Sequence, residues 1–281
     1  MFKTVGVVSR VDKKHAVELA TKIVSALEAK KLIVKLEPKL AKQLNKPNFA
    51  ASLEKMKTDL IVTIGGDGTI LRTCLQLPKP EPPILAVNMG ARGFLAEVPP
   101  KDALKALDQI LKGNYTLEHT MKLASYIGKK RLPDALNEVS ITSLAPAKLL
   151  SMRIWKGKEL VGECQSDGAV VASQTGSTGY SLSAGGPVID PEVQAFVFTP
   201  IVPLTVFHPI VFSANSTVHV ELYRPKRTVI VIDGHFRTET TPELSRVTIT
   251  KSEYESSFVR FRGDFYHRLK GRLLFSEGRT R

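Results

Sequence analysis

Leu60-Ile61-Val62-Thr63-Ile64-Gly65-Gly66-Asp67-Gly68-Thr69-Ile70-Leu71-Arg72 is the stretch on which the fold reading rests. Its first five residues form a continuous, β-branched apolar run, the composition of a strand buried on both faces. Two glycines stop that run, and from Thr69 the sequence resumes with helical character as far as Pro78. A glycine-rich turn between strand and helix exposes backbone N–H groups at the positive end of a helix dipole, and without a Cβ the backbone lets a phosphate approach closely. Asp67 does not belong in a plain phosphate cradle. A carboxylate there would repel the ligand unless it had another duty, such as accepting a hydroxyl proton or holding Mg²⁺. The alternative is an ordinary loop in which Asp67 caps the helix. The motif is neither a Walker loop, since Gly-Lys-Ser/Thr is missing, nor the fingerprint Gly-x-Gly-x-x-Gly.

Upstream, Val5-Gly6-Val7-Val8 reads as a buried strand. Val17, Ala20, Val24 and Leu27 recur at helical spacing, and Leu32-Ile33-Val34 starts a second strand. Downstream, Ile84-Leu85-Ala86-Val87 is another strand, and Pro100 to Leu111, closed by Gly113, is a helix with proline near its start and glycine past its end. This alternation predicts a Rossmann-like parallel α/β domain over residues 1–114. From Tyr115 the pattern changes to short β segments: Ala135 to Ser143, Leu150 to Trp155, Ala169 to Ser173, Val218 to Leu222, Val229 to Ile232 and Val247 to Ile249. They predict a β-rich, sandwich-like second domain over residues 115–259, with turns at Lys156-Gly157 and Asp233-Gly234. A basic, helix-compatible segment from Tyr266 to Leu274 marks residues 260–281 as a return onto the first domain.

The 281 residues, 43% of them hydrophobic, suffice for real cores. No run approaches the roughly 18 apolar residues of a membrane helix, and the N-terminal apolar stretch is too short for a signal peptide, so a cytoplasmic location is expected. Cys74 and Cys164 stand far apart without histidine or a paired cysteine nearby, which argues against a zinc site or disulfide framework and for two buried small hydrophobes. The net charge of +13 attracts polyanions in general. Its basic residues are scattered, with clusters at Lys129-Lys130-Arg131 and around Arg268 to Arg272, and no aromatic-and-basic ribonucleoprotein motif accompanies them.

Read with its flanks, the glycine turn resembles the Gly-Gly-Asp-Gly-Thr motif shared by NAD kinases, diacylglycerol and sphingosine kinases and, more distantly, phosphofructokinases. Three further segments resemble NAD kinase motifs in NAD kinase order: residues Asn88 to Leu95, then Leu136-Asn137-Glu138-Val139, then Asp167-Gly168 followed by Thr175 to Pro187. The resemblance implies transfer of the γ-phosphoryl of ATP, or of polyphosphate, with Mg²⁺ or another divalent cation, to the ribose 2′-hydroxyl in the adenosine half of NAD. It implies that Gly65, Gly66, Gly68 and Thr69 form the phosphate loop. Asp67 would face that hydroxyl as general base or orienting group, with Gly68 beside it, and Arg72 would help hold phosphate; a solvated helix arginine is the alternative for Arg72. Phe94 would pack on adenine, or belong to the core. Asn137 and Glu138 would hydrogen-bond ribose hydroxyls. Asp167 would bind the nicotinamide end, with Thr178, Gly179, Tyr180, Ser181, Leu182 and Ser183 lining the pocket and Lys148 and Gln165 near the ligand. The Asp233-Gly234 turn matches a family turn and reads equally as a simple hairpin. Arg92 and His208 depart from the family pattern, and the form of the segment at Gly179 looks closer to archaeal members. Relatives form dimers and tetramers, so a homodimer or homotetramer is expected.

Two other readings compete. A diacylglycerol-type lipid kinase shares the glycine turn but needs an apolar cleft, against which the polar set Asn137, Glu138 and Asp167 argues. A non-catalytic nucleotide- or nucleic-acid-binding protein would use the positive charge and bind DNA or RNA with steep salt dependence; the reading preferred here takes no nucleic-acid or membrane partner.

Overall fold

The computed structural model describes residues 2–90, 93–145, 148–223, 227–240, 245–261 and 265–269. Arg92 and most of the basic segment after Tyr266 lie outside them. The chain divides into two compact units: one holds the chain up to His119 and the stretch from Ser256, the other Thr120–Glu255. The division falls inside two long strands, β5 and β15 below, rather than in the loops beside them, because each strand continues from one unit into the other.

In chain order the first unit contains β1 (Thr4–Ser9), α1 (Lys14–Ala29), β2 (Ile33–Leu36), α2 (Pro38–Gln43), β3 (Leu60–Gly65), α3 (Asp67–Gln76), β4 (Ile84–Asn88) and α4 (Ala103–Leu111). The chain continues through β5 (Thr116–Ile127) into β6 (Lys130–Arg131), β7 (Glu138–Ser143), β8 (Leu150–Lys156), β9 (Glu159–Ser173), the one-turn α5 (Tyr180–Ser183), β10 (Ala195–Pro203), β11 (Ile210–Ser213), β12 (Val218–Leu222), β13 (Thr228–Ile232) and β14 (Phe236–Thr240). It returns along β15 (Arg246–Arg260) to α6 (Phe265–Leu269).

Strands β2, β1, β3 and β4 lie side by side in that order, all parallel. Their apolar runs are buried because α1 and α4 pack against the sheet, joining Ile23, Leu27, Leu107 and Ile110 to Val5, Val7, Leu60, Val62, Leu85 and Val87 in one core. The order reverses direction between β1 and β3, so the switch point of this α/β sheet lies at the carboxyl ends of those strands, where such sheets bind ligands. The turn 65–67 sits there.

The second unit is antiparallel, ordered β14-β13-β7-β9-β8-β12-β15, with β10 added to β9 and β11 to β10. Strand β9 is its spine. Its first part pairs with β8 through Leu150↔Ser166, and its second with β7 through Glu138↔Ala172. The β13–β14 connection, Asp233 to His235 beyond the last pair Ile232↔Phe236, has positive φ at both Asp233 (49°) and Gly234 (69°), and His235 N donates to Ile232 O at 3.0 Å. Cys74 and Cys164 are both free and buried, and burial pushes the Cys164 thiol up to about 11.

Candidate active site

The turn after β3 is tight because Thr69 folds back onto it: a Cβ on Gly65 would collide with the Thr69 hydroxyl. Gly66 precedes α3 in an extended conformation (φ −106°, ψ −173°), and a Cβ there would meet nothing within 4 Å. Open space therefore lies beside Gly66, at the positive end of the α3 dipole.

Asp67 opens α3 but does not cap it, since no side-chain bond reaches the cap position. Its carboxylate turns instead to the loop after β4: Oδ2 accepts the Phe94 amide at 2.7 Å and Oδ1 the Leu95 amide at 3.2 Å. Gly93 makes this lock possible, because a Cβ there would lie 2.6 Å from Asp67 Oδ1. The same loop is tied to the turn by Met89 N donating to Gly65 O at 2.8 Å, and Asn88 Oδ1 accepts the Gly90 amide. Two sequence segments 27 residues apart thus become one rigid feature around a single half-buried carboxylate.

Arg72 is otherwise engaged. Its guanidinium makes a two-pronged ion pair with Glu37, at 2.5 and 2.9 Å, which joins α3 to the end of β2. Phe94 is fixed through its amide, and its ring is half-buried.

In the second unit, the start of β7 meets the glycine-rich segment. Ser173 N donates to Asn137 O, the Ser173 hydroxyl donates to Leu136 O, and Gly176 N donates back to the Ser173 hydroxyl. Gly176 lies so close to the Asn137 carbonyl that no side chain would fit. Gly179 lies over the pair: a Cβ there would be 3.3 Å from Glu138 Oε2 and 3.5 Å from Asn137 Nδ2. Asn137 Oδ1 and Glu138 Oε2 are sealed from solvent without a hydrogen-bond partner. Such atoms are costly unless a ligand satisfies them. Burial, and secondarily the nearby Asp233 carboxylate, pushes the Glu138 carboxyl up to about 8.

Around this pair, Thr178 and Leu182 are half-buried and Tyr180 and Ser183 exposed. Ser181 departs from expectation: it is fully buried and its hydroxyl bonds Thr199 at 2.8 Å, so it packs the interior of the unit rather than lining a pocket. Gln165 and Asp167 occupy one face of β9, as residues two apart must. Asp167, exposed, sits where β9 changes partner from β8 to β7. It is five residues from Ala172, the partner of Glu138, or about 17 Å along an extended strand. Lys148 and His208 are exposed.

Three contributors went unread in the sequence. Gly93 and Glu37 act through contacts distant in the chain. Lys122, fully buried, had a legible signal, a lone lysine inside the apolar run Met121-Lys122-Leu123-Ala124. In the basic cluster at 129–131, Arg131 is paired with Asp134 and Glu253. Among the described residues no group of three or more His, Cys, Asp or Glu side chains forms a metal cage, and no helix is long and apolar enough to cross a membrane.

Two family models match the chain: the ATP-NAD kinase N-terminal domain over residues 5–115 and the ATP-NAD kinase C-terminal domain over residues 136–261. An NAD kinase from Methanothermobacter thermautotrophicus is 39% identical over 273 residues, 96% of each chain. One from Pyrococcus abyssi is 35% identical, covering 95% of this chain and 98% of its own. Among solved structures, an Archaeoglobus fulgidus NAD kinase in complex with ATP superposes with a TM-score of 0.79 at 29% identity, covering 95% of this chain and 97% of that one. The yeast NADH kinase complexed with NADH shares the fold, with a TM-score of 0.89 at 23% identity and coverage of 98% and 89%.

Proposed function

This chain belongs to the NAD kinase family and is an enzyme that phosphorylates NAD, and we propose that Asp67 receives the ribose 2′-hydroxyl while the open N-terminus of α3 receives the phosphoryl donor. The observation that carries this reading is the Asp67 carboxylate, held by the Phe94 and Leu95 amides at the carboxyl end of β3. A carboxylate has about four lone-pair sites, and the two amides occupy two of them. The others remain for a hydroxyl, whose oxygen becomes a competent nucleophile once its proton is shared with a base. Gly66, with open space above it, leaves room for the γ-phosphoryl beside the helix dipole. Catalysis is then chiefly positioning and charge neutralisation.

In the second unit, Asn137 and Glu138 take ribose hydroxyls, satisfying their sealed oxygens. Gly179 keeps that cradle open, with Thr178, Tyr180, Leu182 and Ser183 around it. Asp167, Gln165 and Lys148 serve the other end of the dinucleotide. Phe94 offers its ring to adenine, a role an exposed aromatic face suits. Arg72 is assigned to holding α3 through Glu37.

ATP is the donor in this reading, with polyphosphate as the alternative. Mg²⁺ would arrive on the phosphate oxygens of the donor, with Asp67 as the nearby carboxylate, and would supply neutralisation of phosphate charge. We place the enzyme in the cytoplasm as a homodimer or homotetramer, which light scattering tests. Incubation of the purified protein with NAD, Mg²⁺ and either ATP or polyphosphate, followed by an NADP-specific dehydrogenase, should yield NADP with ATP. A folded protein that forms none with either donor would refute the reading.

A further inference from the structure

The β13–β14 turn does more than reverse the chain. Asp233 is 2% exposed, and its carboxylate accepts three consecutive backbone amides, Leu136 at 2.7 Å, Asn137 at 2.8 Å and Glu138 at 3.0 Å. Consecutive amides of a straight strand point to opposite sides. Their convergence on one carboxylate therefore requires the backbone to curl over residues 136–138, just before β7 starts. The Asp233 amide donates to Glu138 O at 3.1 Å and closes the clamp. A hairpin turn here needs only a residue that tolerates positive φ, which asparagine or glycine supplies as well; an aspartate buried against three amides is a further commitment.

We propose that Asp233 is a positioning residue for NAD phosphorylation: its clamp fixes the curl that presents Asn137 and Glu138 to the dinucleotide, and its carboxylate adds to the burial that keeps the Glu138 carboxyl a hydrogen-bond donor. The inference rests on the reading that Asn137 and Glu138 bind NAD.

The charged groups around Glu138 support the second half. Asp233 approaches from the β13–β14 turn; burial raises its carboxyl above the ordinary range, and the three amides, with Lys122 on β5 as the smallest contribution, act against that rise and favour its charged form. Asp233, with three amides and Lys122, is the better home for the negative charge; Glu138, with one oxygen sealed and unpartnered, keeps the proton. The position of the Glu138 carboxyl, about 8, agrees. A ribose diol can then accept a hydrogen bond from Glu138 and donate one to Asn137 Oδ1.

The test uses the full-length enzyme and compares wild type with Asp233→Asn, Glu138→Gln and Glu138→Ala, measuring KM for NAD and for ATP, kcat and melting temperature between pH 6.5 and 9.5. In wild type, KM for NAD should climb above pH 8, approaching tenfold per pH unit. In Glu138→Gln, whose amide keeps a donor at every pH, that climb should vanish. Asp233→Asn should raise KM for NAD at least tenfold while KM for ATP stays within twofold, and should move the climb to lower pH because the repelling charge is gone. Wild-type KM and pH profile in Asp233→Asn, or a climb that persists in Glu138→Gln, would overturn the proposal. Should Asp233→Asn fail to fold, the Glu138→Gln profile decides alone. A Glu138→Ala enzyme with unchanged KM for NAD would instead remove the NAD reading of this pair, whereas a raised KM there with an unaffected Asp233→Asn removes only the positioning role.

Discussion

Gly93→Ala is a one-methyl test of how closely Asp67 must be held. The new Cβ would sit 2.6 Å from Asp67 Oδ1 and 3.3 Å from its Cγ, whereas ordinary contact begins at 3.4 Å. The carboxylate must retreat by about 0.8 Å or the 93–95 loop must lift by as much. Either movement stretches the longer of its two bonds, to the Leu95 amide at 3.2 Å, past hydrogen-bonding range. Misplacing a reacting group by about 1 Å costs on the order of 10²-fold, so kcat should fall roughly 30- to 100-fold, about 2 to 2.7 kcal/mol in the barrier. The fold should suffer too, by roughly 1–3 kcal/mol, because Gly93 is buried and the added methyl overpacks the loop. The assay is steady-state NADP formation with saturating NAD and ATP, paired with a thermal melt. A Gly93→Ala enzyme with kcat within threefold of wild type would refute the claim that the loop amides set the working position of Asp67.

Other substitutions separate structure from chemistry. Arg72→Lys loses the planar two-pronged pairing with Glu37, of which only 12% of the side chain is exposed; stability should fall by about 1–2 kcal/mol, lowering the melting temperature by several degrees, with KM for ATP within twofold. A large rise in that KM without a change in melting would return Arg72 to the phosphate site. Gly176→Ala drives a methyl into the Asn137 carbonyl, and should raise KM for NAD and destabilise the fold by roughly 1–3 kcal/mol; an indifferent KM would show that β7 and the glycine segment are not coupled. Because the Glu138 carboxyl ionises only near 8 in the fold against an ordinary 4.5, the native state binds more protons than the unfolded chain across that window. Stability should therefore decline as pH rises from 4.5 through 8. In Glu138→Gln the decline in melting temperature should be visibly shallower; identical slopes would contradict the assignment.

Legibility in the sequence followed the range of the interactions involved. Strands β1, β3, β4, β12 and β13 are short apolar runs bounded by turn residues, and local pattern sufficed to find them. Strand β5 escaped because Glu118, His119, Thr120, Lys122 and Ser125 interrupt its apolar residues. Strand β10 escaped because Pro200 and Pro203 argue against a ladder. The pairing explains their tolerance: β11 covers β10 only from Ala195 to Phe198, so at Pro200 one edge needs no donor. Among site residues, Asp67, Asn137 and Glu138 were readable because a carboxylate beside glycines and polar groups at the end of an apolar run are locally anomalous. What fixes them was not readable: the Phe94 and Leu95 amides, the Arg72–Glu37 pair and the Asp233 clamp each join segments 27 or more residues apart. The Ser181 partner, Thr199 on the next strand, was not readable either.

The central claim, that the Asp67 carboxylate activates the hydroxyl acceptor, is tested most directly by Asp67→Asn in the NADP-forming assay, with NAD and ATP binding measured by calorimetry on the same preparation. The account predicts a loss in kcat of about 10²- to 10⁴-fold with both ligands bound within a few-fold of wild type and melting unchanged within a few degrees. An Asp67→Asn enzyme that keeps a tenth or more of wild-type kcat would contradict it.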